Sequence, residues 1–88
     1  MSAQQAEGAH RPHEVEITVN GRPVTIEGPR RTGLEIKQAA MEQGVQIDVG
    51  FLLYEDRGDG TRKPVGDADE VAVHKGSKFI AVADDDNS

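Results

Sequence analysis

The stretch Glu14-Val15-Glu16-Ile17-Thr18-Val19-Asn20-Gly21-Arg22-Pro23-Val24-Thr25-Ile26-Glu27 decides the fold of this chain. Val15, Ile17 and Val19 alternate with Glu14, Glu16 and Thr18, the period-two pattern of a strand with one buried face. Asn20-Gly21 follows. It is the strongest two-residue hairpin signal, because both central residues of that turn need a positive φ. Val24 and Ile26 then alternate with Thr25 and Glu27. The reading is a β-hairpin, ended by Gly28-Pro29.

Downstream, Thr32-Gly33-Leu34-Glu35 has the spacing of a capping box. The Thr32 side chain accepts from the Glu35 amide while the Glu35 carboxylate reaches back to Thr32. Leu34, Ile36, Ala39, Ala40 and Met41 supply an apolar side. Glu35, Lys37, Gln38, Glu42 and Gln43 are assigned to solvent. Gly44 stands where a C′ glycine closes a helix, so the spacing predicts a helix over 33–43, with small alanines that let it lie close across a sheet.

Val45 and Ile47 read as connecting core residues and Phe51–Tyr54 as a third strand. Asp56–Gly60 is a turn with two glycines free to take positive φ. Lys63-Pro64-Val65 is a short edge strand, a place where proline is tolerated. Gly66–Glu70 is a loop, and Lys78–Ala83 is the last strand, with Phe79 and Ala81 on one face and Ile80 and Val82 on the other. The order predicts an α+β layer pair: one mixed sheet with a helix on one face and the last strand parallel to the first at the sheet centre.

Composition sets the limits. Eighty-eight residues make one domain at most, with residues 1–13 expected as a flexible arm, 14–83 as the folded domain and 84–88 as a flexible acidic tail. There is no cysteine, which excludes disulfides, thiolate metal sites and cysteine nucleophiles. The net charge is −6, and Asp84-Asp85-Asp86 concentrates acid at one end. No basic face is available to track phosphates, and three aromatic residues give no stacking platform, so nucleic acid is not an expected partner. No apolar run approaches a membrane span, and the first thirteen residues lack the apolar core of a secretory signal; a soluble, cytoplasmic monomer is expected.

The segments ITVNGRPVTIEG, Gly50-Phe51-Leu52-Leu53-Tyr54-Glu55-Asp56 and Val71–Val82, in this order and spacing, resemble the ubiquitin β-grasp, a mixed four- to five-stranded sheet with one helix packed across one face. The opening segment also resembles the bacterial multi-ubiquitin domain family. The resemblance covers about residues 14–84. It implies a ubiquitin-like protein modifier, not an enzyme and without cofactor, that is a substrate of ubiquitin-activating-like and conjugating-like enzymes. A metallopeptidase and target proteins complete the implied partners. The alternative is a non-covalent adaptor that docks through its sheet face or a sheet edge.

One departure bears on the chemistry. Modifiers of this kind usually end in Gly-Gly, which threads a narrow enzyme channel because glycine lacks Cβ. This chain ends Ala83-Asp84-Asp85-Asp86-Asn87-Ser88. An aspartate-rich end beside ATP phosphates adds like-charge repulsion. Either a peptidase trims the tail, or the enzymes accept an unusual end, or this protein acts without conjugation. Residues 83–88 are therefore the expected processing and conjugation region.

A partner-binding patch is expected on the sheet. Phe51, Leu52, Leu53 and Tyr54 cannot all face one core, since strand side chains alternate. With Phe79 under the helix, Ile80 and Val82 lie on the open face, where Leu52 or Leu53 joins them. Other clusters read more plainly. His10 and His13 offer two imidazoles where zinc wants four ligands. His74 has no nucleophile beside it in the sequence. The acids of 56–70 fail the calcium-loop spacing at Gly58, and Gly58-Asp59-Gly60 lacks the third glycine of a dinucleotide loop. No metal site is expected.

Overall fold

A computed structural model describes residues 14–84. The hairpin forms as the alternation requires, from β1 (Glu14–Val19) and β2 (Arg22–Glu27), with Ile17 opposite Val24 and Val15 opposite Ile26. Asn20 and Gly21 both take positive φ, 55° and 78°. After the cis Gly28-Pro29 bond come β3 (Arg30–Thr32) and α1 (Gly33–Glu42). β4 (Leu52–Asp56), β5 (Arg62–Val65), β6 (Glu70–Ala72) and β7 (Lys78–Val82) complete the described residues. The main sheet runs β2-β1-β7-β4-β5, with β7 parallel to β1 at the centre and the other pairs antiparallel. Among the described residues, the mixed five-stranded sheet and one helix are the expected α+β architecture.

The helix begins at the predicted cap. Thr32 Oγ1 accepts from the Glu35 amide at 3.2 Å, and Glu35 Oε1 accepts from the Thr32 amide at 2.9 Å. That bond from Thr32, with Arg31 nearby, holds the Glu35 carboxyl below its usual range. At the other end Gly44 takes φ 97° just beyond the Gln43 cap.

The core is one cluster between the helix and the sheet. Phe79, Ile17, Ile36, Val19 and Val24 are its largest fully buried side chains, joined by Ala40, Val45, Leu53, Val65, Val73 and Ala81. Val45 and Ile47 serve as the connecting core residues expected of them, Ile47 half-buried.

Three details differ from expectation. A second, two-stranded sheet pairs β3 with β6, where a loop and a helix cap were predicted. Its strands are three residues long and bury only Val71, so they leave no alternating pattern in the sequence. Met41 is exposed, whereas Lys37, assigned to solvent, is buried at 4% exposure. Lys37 falls at the fourth position after Gly33 and the third before Ala40, on the stripe that faces the sheet.

Gly33 opens the helix under the 66–69 loop, where its amide donates to Asp69 O at 3.0 Å and that of Leu34 to Asp67 O at 3.2 Å. A Cβ at Gly33 would collide with the backbone carbonyl of Gly66. In an open helix position alanine would be better than glycine by about 1 kcal/mol. Here Gly33→Ala should reverse that sign and destabilise by about 1–3 kcal/mol, the range of overpacked sites. Urea denaturation measures it; a stabilised variant would mean that the loop yields freely.

A candidate interaction face on the open side of the sheet

The helix covers one face of the sheet, and the strand register fixes what the other presents. On β4 and β7 the pairs Leu52–Val82, Tyr54–Ile80 and Asp56–Lys78 lie opposite one another. Phe79 and Ala81, which alternate with them, are in the core. From β5, Pro64 lies opposite Tyr54 and Arg62 opposite Asp56, and from β1 Thr18 lies opposite Lys78. The face thus has an apolar region of Leu52, Tyr54, Pro64, Ile80 and Val82. At one end it is bounded by a polar row in which Asp56 stands between Lys78 and Arg62.

Leu52 and Val82 are 43% and 39% exposed, high for large apolar side chains that face each other across two strands, while Ile80 and Tyr54 are half-buried. Three of the four predicted patch residues are therefore brought together here. Leu53 is not one of them. It is 2% exposed and sits opposite Ala81 and Val65 on the core side, so the expectation for Leu53 is corrected. Tyr54 and Pro64 belong to the face and were missed. The two-residue step from Leu52 to Tyr54 was the available signal, obscured by a run of four consecutive bulky residues. Beside Leu52, Val49 and Phe51 extend the apolar surface into a shallow groove of ≈ 360 Å³ with Lys37 and Asp67 at its polar wall.

The sheet edges are blunted. On β2, the backbone amide and carbonyl of Thr25 are both taken by the Gln43 side chain, at 2.9 and 2.7 Å. Pro23, two residues away and so turned to the same side, has no N–H to offer. On β5, Pro64 removes another donor and Arg62 and Lys63 add charge.

Val82 ends β7, and Ala83 and Asp84 continue beyond it, exposed and without regular structure. Asp85, Asp86, Asn87 and Ser88 lie outside the described residues, as do the proposed arm and both His10 and His13. Among the described residues no group of three or more His, Cys, Asp or Glu is placed to hold a metal ion. The exposed His74 ring has Nδ1 3.3 Å from the Lys75 carbonyl oxygen, and the Ser77 hydroxyl accepts from the His74 backbone amide. Asp59 closes its own turn through the Thr61 hydroxyl, whose hydrogen bond holds the carboxyl below its usual range. No helix among the described residues is long and apolar enough to cross a membrane.

The hairpin, the helix α1 crossing a mixed five-stranded sheet, and the central parallel β1–β7 pair define a ubiquitin-like β-grasp domain. Residues 15–85 match the family model of the multiubiquitin domain, and the chain belongs to that family. Comparison with curated proteins and with solved structures found no match.

Proposed function

We propose that this chain is a bacterial ubiquitin-like protein modifier, activated at a carboxyl terminus within or just before residues 83–88 and joined to target proteins. Its partners are a ubiquitin-activating-like and a conjugating-like enzyme encoded with it, and a metallopeptidase that trims the tail. The observation that carries this reading is the position of Val82. It is an exposed member of the apolar face and also the last residue of the strand from which Ala83 and Asp84 leave. An enzyme that grips the face would hold the start of the tail at the same time. Family membership supports the same reading.

The test is to mix the full chain with the co-encoded enzymes and ATP and to follow intact mass. Loss of tail residues followed by adenylation or linkage to a target supports the modifier. A protein never activated, trimmed or intact, leaves the non-covalent adaptor in its place. The consecutive aspartates at 84–86 favour that second reading, since they repel ATP phosphates. With both sheet edges blunted, such an adaptor would dock through its face.

Either reading makes the face the point of contact. Leu52→Asp and Val82→Asp should each weaken partner binding by about tenfold or more, because a carboxylate must be desolvated at the contact. The denaturation midpoint should stay close to that of the parent, a change of about 0.5 kcal/mol or less, as for other surface positions. Calorimetric titration against the partner, beside urea unfolding, separates the two effects. Undiminished binding by both variants would remove the face from the proposal.

A further inference from the structure

Asn20 does more than turn the hairpin. Its backbone amide donates to Phe79 O at 3.0 Å. Its carboxamide then reaches over β7, where Nδ2 donates to Ala81 O at 3.0 Å and Oδ1 accepts from the Ala81 amide at 2.8 Å. The parallel pairing of β1 with β7 ends at Val19 and Phe79. The Asn20 side chain therefore stands in for the next residue of the ladder and fastens the end of β7, one residue before Val82. An amide is required for this, because it offers one donor and one acceptor to a backbone that offers one of each.

The same dipeptide is chemically unstable in a loose chain. Gly21 has no Cβ to shield its nitrogen or restrict its backbone. That nitrogen, on losing its proton, can attack Cγ of Asn20. A C–N bond forms, the Cγ–Nδ2 bond breaks, and ammonia leaves with the proton. The resulting succinimide is opened by water at either carbonyl, giving aspartate or its backbone-shifted isomer at position 20. Water enters and ammonia leaves, with no oxidant or reductant.

We propose that Asn20-Gly21 is a latent deamidation site, held inert in the folded domain by the clasp on Ala81, and that its conversion releases the end of β7. Attack on Cγ requires the carboxamide to turn back toward Gly21, which the two bonds to Ala81 and the paired strands on either side of the turn prevent. After conversion, an aspartate has no donor for Ala81 O and sets its carboxylate against that carbonyl. The isomer also adds a methylene to a turn with room for two residues. Both products loosen the strand end beside the apolar face.

The experiment compares the native full chain with the same chain in concentrated urea, at one mildly alkaline pH. Peptide mapping by mass spectrometry locates aspartate and isoaspartate at position 20. Conversion of the native protein should be slower by about tenfold or more, since only its locally opened fraction reacts. Equal rates in the two states would overturn the protective role of the clasp. The full-length variant Asn20→Asp keeps the turn length and a residue that tolerates left-handed φ, and so isolates the lost donor. In this variant amide exchange at Ala81 and Val82 should accelerate by about tenfold or more, while the β4–β5 pairing keeps its protection. Unchanged exchange at Ala81 would overturn the release of β7. A global loss of folding would place the clasp in the core of stability and overturn the proposed local release.

Discussion

Phe79→Ala should remove about 3–5 kcal/mol of stability, the cost of emptying a phenyl ring from a packed core. The ring is 1% exposed and is among the largest fully buried side chains of the described domain. It stands on the central strand opposite Val19 and Glu55, with helix residues Ile36 and Ala40 in the same cluster. A small domain has few other large side chains to close over the cavity. Folded domains have about 5–15 kcal/mol in total, and the smallest sit low in that range, so the variant should be largely unfolded at physiological temperature. Circular dichroism with urea titration checks this. A loss below about 1 kcal/mol would show that the site collapses around the smaller residue. Ile80, the next residue in sequence but on the opposite face, is half-buried, so its truncation should cost much less.

That contrast within one strand is legible in the sequence, because alternation alone separates Phe79 and Ala81 from Ile80 and Val82. The hairpin and the helix cap were legible for the same reason. Each depends on residues close in sequence: Asn20 with Gly21, Thr32 with Glu35, and Gly44 one step past Gln43. The phase of β4 was not. Four consecutive bulky residues, Phe51 to Tyr54, fit either register, and only pairing with Ala81 and Val65 turns Leu53 inward. The β3–β6 pair was also silent, because Arg30-Arg31-Thr32 becomes a strand only when Glu70-Val71-Ala72 is brought beside it from forty residues away. The apolar face was therefore read correctly at Ile80 and Val82, where one strand decides. At Leu52, Leu53, Tyr54 and Pro64 it depended on neighbours.

Lys37→Met should destabilise the domain by about 3 kcal/mol, although a long charged side chain on a helix is ordinarily replaced at little cost. The Lys37 ammonium donates to Val49 O at 2.7 Å, Phe51 O at 2.8 Å and Asp67 Oδ1 at 2.7 Å, which uses all three of its protons. Hydrogen bonds to a charged group are worth about 1.5–3 kcal/mol each, more than neutral ones. Methionine fills the same volume and restores some apolar burial, which offsets part of the loss. It leaves the irregular stretch before β4 and the 66–69 loop without their common anchor. Both segments line the groove beside the interaction face, Val49 and Phe51 on one side and Gly66 and Asp67 on the other. Asp67→Asn separates charge from hydrogen bonding. The amide oxygen still accepts from Lys37, and the Asp67 side chain is 59% exposed, so water screens what the lost anion contributed. This variant should lose about 1 kcal/mol or less, the scale of an exposed ion pair. Urea titration of both variants, with amide exchange at Val49, Phe51 and 66–69, measures the difference. If Lys37→Met matched the parent within about 0.5 kcal/mol, the usual scatter of surface substitutions, the lysine would be covered by its neighbours without holding them together. A large loss confined to Lys37→Met would establish that three carbonyl and carboxylate oxygens from two separate segments are gathered on one buried cation, a role its residue type conceals in the sequence.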